Sequence, residues 1–114
     1  MQRPTMTTAT DARTFAALGD PTRLGIVTRL TAGPASVSEL AQPLPMSLRA
    51  VLKHVEILED VGIVRTVKTG RVRECRLEPK ALDRANRCIE DLRTRWERRI
   101  DRLEQVLREE GEDE

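Results

Sequence analysis

One histidine, two cysteines and a scatter of arginines and lysines are the side chains in this 114-residue sequence with the most chemistry to offer. His54 stands alone, so no acid–base pair of the usual kind is available, and neither a glycine-rich phosphate loop nor a paired nucleophile and base appears. No enzyme is expected. A zinc site needs about four nitrogen, sulfur or oxygen ligands of suitable type. His54, Cys75 and Cys88 offer no such set, so no metal and no other cofactor is expected. Two apolar-flanked cysteines read as small buried hydrophobes, Cys75 pointing inward. The alternative is a thiol switch or a soft-metal site shared across a dimer. Two cysteines do not make a disulfide framework.

The cations carry more information, because they cluster. The net charge is only +1, yet residues 61–77 hold Arg65, Lys68, Arg71, Arg73 and Arg76 against Glu74 alone, a local charge of +4. Residues 108–114 hold one arginine against five acids, a local charge of −4. The distribution matters more than the total. Positive charge gathered on one face is the electrostatic footprint of a nucleic-acid binder. At about 100° per residue, Arg49 and Lys53 lie opposite the apolar Val51–Val55–Leu58 face of one helix. Arg49 suits a guanine edge, which takes two parallel donors. Lys53 suits a phosphate, as a point charge. Ser47 can bond a phosphate as well as cap the helix. Leu48 and Leu52, on its flanks, either touch thymine methyls or pack against neighbouring helices. The basic stretch Lys68-Thr69-Gly70-Arg71, with Arg73 beyond it, suits the phosphate backbone or the minor groove and supplies salt-dependent affinity.

These side chains need a scaffold, and the apolar pattern outlines one. Aromatics are 2% of the chain, with one Phe15 and one Trp96, so leucine, valine, isoleucine and alanine must build the core. Residues 1–10 are polar and Thr-rich, without the apolar core of a signal peptide, and read as a disordered lead. A short helix follows from Asp11 to Leu18, with Phe15 and Leu18 on one side. Asp20 caps the next helix and Pro21 takes its first position, where a missing N–H costs nothing. Leu24, Val27 and Leu30, with Ile26 beside them, form its apolar stripe, and Gly33-Pro34 ends it. Ser36-Val37-Ser38-Glu39 is a capping box that opens a short helix. Ser47 caps another, running to about Asp60, and Gly62 stops it.

After Ile63 the period changes. Val64, Val67, Val72, Cys75 and Leu77 are strand-like positions split at Thr69-Gly70, a hairpin turn signal. From Pro79 a long helix runs to about Leu107. Its apolar positions are Leu82, Ala85, Ile89, Leu92, Trp96, Ile100, Leu103 and Leu107, a seam regular enough to want a partner helix. Trp96 belongs to that seam rather than to a ligand platform. The expected fold is mainly α with a small β-hairpin wing, in the order α-α-α-α-β-β-α. Its parts are a lead (1–10), a winged helix-turn-helix domain (11–78), a dimerisation helix (79–107) and a solvated acidic tail (108–114). No stretch is long and apolar enough to span a bilayer, and a cytoplasmic location is expected.

A specific resemblance accompanies these features. Phe15-Ala16-Ala17-Leu18-Gly19-Asp20-Pro21-Thr22-Arg23-Leu24, then Ser38-Glu39-Leu40-Ala41, Met46-Ser47, and Val51-x-Lys53-His54-Val55-x-x-Leu58-x-x-x-Gly62-Ile63-Val64 resemble the ArsR/SmtB family of winged-helix repressors. The match runs from about Phe15 to Leu77. It implies a homodimer built from the first and last helices, which places Phe15 and Leu18 at the interface with the seam from Leu82 to Leu103. It implies binding to an imperfect inverted repeat in double-stranded DNA, repression that is commonly autoregulatory, and release by an effector. It also places His54 near DNA. Two departures stand out. Family members usually have a small polar residue where this chain has Leu52, and many carry a Cys-x-Cys sensor after the Glu-Leu matched by Glu39-Leu40, where this chain has Ala41-Gln42-Pro43. The effector is left unassigned. A winged helix used for protein–protein contact, with the seam holding a foreign helix, is the alternative outside DNA binding.

Overall fold

The structure, a computed structural model, describes residues 9–112. Most of the expected lead, and the last two residues of the expected tail, lie outside the described residues. The elements in chain order are α1 (Ala9–Leu18), α2 (Pro21–Leu30), β1 (Ala35–Ser36), α3 (Val37–Ala41), α4 (Leu48–Asp60), β2 (Val64–Thr69), β3 (Val72–Leu77) and α5 (Pro79–Glu112). The architecture is mainly helical, with a small three-stranded antiparallel sheet ordered β1-β3-β2.

Local chemistry starts the helices where the sequence placed them. The Arg23 N–H donates to Asp20 Oδ2 at 3.0 Å, and Pro21 occupies the first turn of α2. The Glu39 N–H donates to Ser36 Oγ at 3.1 Å while the Ser36 N–H donates to Glu39 Oε1 at 2.8 Å, which closes both halves of the capping box. At α4 the Ala50 N–H donates to Ser47 Oγ at 3.1 Å. These bonds favour the ionised carboxylates: backbone N–H donors hold both Asp20 and Glu39 below their ordinary pKa, against a smaller opposing effect of burial.

The core gathers on α4. Val51, Val55 and Leu58 are fully buried and meet Ile63, just before the hairpin, with Val64 and Cys75 from the sheet. From α2 the buried residues are Ile26, Val27 and Leu30, whereas Leu24 is 50% exposed. The expected stripe is thus displaced. Ile26, Val27 and Leu30 share one arc of the helix facing α4, and Leu24 falls on its flank.

The hairpin register pairs Val64 with Leu77, Thr66 with Cys75 and Thr69 with Val72. The turn therefore comprises Gly70 and Arg71, one residue later than the Thr69-Gly70 signal suggests. Gly70 has φ 62°, as a glycine at the first central position of a two-residue turn requires. The third strand was not expected. Ala35 and Ser36 pair with Cys75 and Glu74, and two residues are too few to display an alternating pattern.

The buried face at the start of α5 is shifted by one residue from the expected seam: Ala81 and Ala85 are buried within the single chain, Leu82 is half-buried, and α1 packs beside this end. Ala85, at 7% exposed, keeps almost no surface for a second copy. Leu18 and Leu82 also pack partly on the chain's own core. Beyond Ile89 the helix leaves the body. It continues through Glu112, so residues 108–112 of the expected tail are helical, as are Ala9 and Thr10 of the expected lead. Thirty-four residues at 1.5 Å each make a rod of roughly 50 Å. The Cα radius of gyration is accordingly 20.5 Å, where about 13 Å suits a compact domain of this length. No helix among the described residues is long and apolar enough to cross a membrane.

Gly62 ends α4 at φ 79°, with open space where a Cβ would stand. Replacing it with alanine tests backbone conformation alone, because nothing clashes. Gly62→Ala is expected to lower unfolding stability by about 1 kcal/mol in urea titration.

Candidate nucleic-acid interface

With Val51, Val55 and Leu58 fully buried, the opposite side of α4 must face solvent, and Arg49 and Lys53 are both exposed there. The two leucines behave differently. Leu52 is half-buried and packs on the core, while Leu48, in the first turn of α4, is 54% exposed. Its position on the helix points it past the end of the core. Ser47 is exposed, and its Oγ accepts the Ala50 N–H, which leaves the hydroxyl proton for an outside acceptor.

A groove of about 850 Å³ separates the starts of α3 and α4 from the hairpin. Arg49, Leu48 and Leu52 line one side; Lys68, Arg71 and Arg73 line the other. The helix and wing cations foreseen from sequence are therefore brought to one cleft, with Lys53, His54 and Ser47 outside its lining. Ser36 and Ser38 also line it, and sequence reasoning did not single them out for this role.

Carboxylates sort the wing cations into two groups. Arg65 pairs with Glu78 at 3.1 Å, Arg76 with Glu74 at 2.8 Å, and Arg73 with Glu59 at 3.0 Å. Lys68 and Arg71, at the tip, have no ion pair among the described residues, nor has Arg49 across the cleft. The +4 segment thus spends three charges at its base and presents two at its end.

Arg73, expected as a DNA contact, lines the cleft but is also held within the chain. Its Nη2 donates to Glu59 Oε1, its Nε donates to Thr66 Oγ1 at 3.3 Å, and Thr66 Oγ1 donates to Glu59 Oε2 at 2.8 Å. This closed triad fastens the hairpin to the last turn of α4. Arg73 is a strut, with its charge already neutralised. No local sequence signal pairs residues 59 and 73, because the contact exists only once the hairpin folds back. His54 is half-buried, and its Nδ1 lies 3.2 Å from Arg23 Nη1 and 3.9 Å from Asp20 Oδ2.

The remaining site residues sit on the helices away from the cleft. Phe15 is half-buried on α1; Ile89, Leu92, Trp96 and Leu103 are each at least half exposed along α5, and Ile100 is intermediate. Cys75 is fully buried under the sheet and Cys88 is half-exposed on α5, both free thiols. Burial pushes the Cys75 thiol up to about 11; Arg73 opposes the shift, and Glu59 and Glu74 add to it. Among the described residues no three of His, Cys, Asp and Glu come together as a metal ion would need.

A well-capped helix with a cationic outer face, a preceding short helix and a basic hairpin define a winged helix-turn-helix protein, a class that reads DNA. Comparison with known proteins gives the family. A helix-turn-helix domain model matches residues 18–67. The HTH-type transcriptional regulator Rv2034 of Mycobacterium tuberculosis is 37% identical over 101 residues, spanning 89% of this chain and 92% of that protein. A crystal structure of an ArsR family transcriptional regulator shares 41% identity at a TM-score of 0.75, covering 84% of this chain and 95% of that one. An ArsR-like transcriptional regulator from Rhodococcus sp. RHA1 shares 38% identity at a TM-score of 0.76, covering 86% and 92%. The chain belongs to the ArsR family of winged helix-turn-helix transcriptional regulators, which are DNA-binding proteins rather than enzymes.

The two thiols are expected to differ sharply in reactivity. With its pKa at about 11, only about one Cys75 in a thousand is thiolate at pH 8. Maleimide labelling of the native protein, mapped by mass spectrometry, is expected to modify Cys88 first and Cys75 only after denaturant is added.

Proposed function

We propose that this chain is a cytoplasmic repressor that acts as a homodimer, seating α4 of each copy in successive major grooves of an imperfect inverted repeat. Autoregulation is part of the proposal. The observation that carries it is the cleft in which unpaired Arg49, Lys68 and Arg71 face outward beside the exposed start of α4. Arg49 reads a guanine edge and Leu48 touches thymine methyls. Lys53, Ser47 and His54 take phosphates along α4, and Lys68 and Arg71 take the flanking backbone or minor groove. The positive end of the α4 dipole adds to the attraction for phosphate.

Dimerisation is supported by the exposed apolar stripe of α5, where Trp96 is 61% exposed. Apolar surface of that length on an isolated rod favours a second copy. The charges along α5 are polarised. Residues 79–87 carry Lys80, Arg84 and Arg87 against Asp83, and residues 104–112 carry Glu104, Glu109, Glu110 and Glu112 against Arg108. Antiparallel pairing lays the acidic end of one helix over the basic start of the other, whereas parallel pairing sets like on like. Ile89, Leu92, Trp96, Ile100 and Leu103 form the seam, and Phe15 on α1 adds to it.

We assign the protein no metal centre, since its single histidine, a buried cysteine and a separate half-exposed one make a poor ligand set. The raised pKa of Cys75 likewise weighs against a switch built on that thiol.

The test has two arms: footprinting on the DNA upstream of the coding sequence, and gel shifts on the protected site. Arg49→Ala is expected to weaken binding by about 1–3 kcal/mol and to relax preference at one position. Lys68→Ala with Arg71→Ala is expected to weaken binding to every sequence and to lower the salt slope by about 2. Equal slopes for the double variant and the parent would remove the wing from the account. Leu92→Asp is expected to sediment as a monomer, because it sets a carboxylate in the seam; a stable dimer would reject that packing.

A further inference from the structure

We propose that Arg23 is a positioning residue that ties the end of α1 to the recognition helix through His54, so that α1 and α4 move as one body. The inference rests on the assignment of α4 as the DNA-reading helix. It concerns what holds that helix at its angle.

Arg23 stands in the first turn of α2 and reaches in two directions. Its Nε donates to the Ala17 carbonyl at 2.8 Å, and its Nη2 lies 3.5 Å from the Ala16 carbonyl. Carbonyls in the last turn of a helix lack intrahelical donors and carry the negative end of its dipole; that of Ala16 accepts the Gly19 N–H at 3.2 Å, and Arg23 supplies the donor to Ala17. The guanidinium therefore caps α1 from outside. From the same planar group Nη1 lies 3.2 Å from His54 Nδ1, on a helix 31 residues further along the chain.

The chemistry fixes the tautomer. Arginine is always protonated and has no acceptor, so Nδ1 of His54 must supply the lone pair, and the ring proton resides on Nε2. A proton on Nδ1 would turn two N–H donors on each other 3.2 Å apart, with no acceptor between them. Asp20, which lies 3.9 Å from Nδ1, already accepts the Arg23 N–H through the same Oδ2 at 3.0 Å. It anchors the arginine's own backbone rather than claiming the ring. One residue thereby joins three helices through directional bonds: α1 by its carbonyls, α2 by its cap, α4 by its imidazole. A lysine, a point charge without the fork, does not hold both ends.

The test uses the full-length protein and a DNA duplex enriched by in vitro selection on the wild type. Long-range proton–nitrogen NMR is expected to show His54 as the Nε2–H form, and a tautomer mixture in Arg23→Gln. Arg23→Gln is expected to lose about tenfold in affinity, as for one charge-assisted hydrogen bond, with the sedimentation coefficient unchanged. Arg23→Lys restores only part of that loss. His54→Ala is expected to lose at least as much as Arg23→Gln, since it also removes the ring N–H offered to phosphate, and the double variant to be no weaker than His54→Ala alone. His54→Asn, whose amide oxygen stands where Nδ1 accepts, is expected to lose less affinity than His54→Ala. If Arg23→Gln does not fold, the two His54 variants still decide the matter: equal weakness of His54→Asn and His54→Ala overturns the coupling. So does a mixed tautomer in the wild type, or losses that multiply in the double variant. Arg49→Ala on the same duplex separates the two levels. If it leaves binding intact, the assignment of α4 is wrong; if it weakens binding and Arg23→Gln does not, the coupling alone is wrong.

Discussion

Burial of one stripe of α4 is the constraint from which the rest of the molecule follows. Val51, Val55 and Leu58 have no exposed surface, so the rotation of this helix about its axis is set by packing. Once that face is inward, a rotation of about 100° per residue carries Arg49 and Lys53 to the far side. It leaves Leu52 and His54 on the two flanks. The flanks are where α4 is tied to other elements, by Leu52 to the core and by His54 to Arg23. Apolar packing thus decides which way the cations point.

Electrostatics then decide which cations are available. Exposed ion pairs such as Arg76–Glu74 contribute at most about 1 kcal/mol each to stability, and that is not their main consequence. Their consequence is subtraction. By neutralising Arg65, Arg73 and Arg76, the neighbouring carboxylates remove positive charge from the base of the hairpin and leave it at Lys68 and Arg71. A phosphate approaching the wing is drawn to the tip, on the same cleft as Arg49. A near-neutral chain can attract DNA for this reason, since at physiological salt fields decay over about 8 Å and the local arrangement outweighs the total.

What the sequence disclosed and what it concealed divide along the range of the interactions. The caps at Asp20, Ser36 and Ser47 each join residues three apart, and all were readable. The same holds for Gly62, whose φ of 79° no other residue adopts cheaply. The pairing of Arg73 with Glu59 joins residues fourteen apart across a hairpin, and nothing local announces it. Strand β1 exists because β3 offers it an edge, and Ala35-Ser36 alone carries no strand pattern. The extension of α5 to Glu112 was hidden by composition. A run of acids reads as a solvated tail, although glutamate and arginine are good helix formers and need no core to continue a helix already begun. The cleft itself was half legible: the cations were nameable, their sorting into free and neutralised was not.

Helix α5 completes the physical picture because it cannot be explained within one chain. Pairs such as Arg95–Asp91 and Arg93–Glu90 support its surface, each by a few tenths of a kcal/mol. They do not account for an apolar stripe held in water from Ile89 to Leu107. If a second copy covers that stripe, the crossing of the two rods sets the separation of the two recognition helices, which must approach one turn of DNA, about 34 Å. That distance reaches α4 only through what links it to α5: the sheet on one side, and α1 with its arginine clamp on the other. In the proposed dimer, how the two rods cross is therefore what sets the spacing of the two α4 helices.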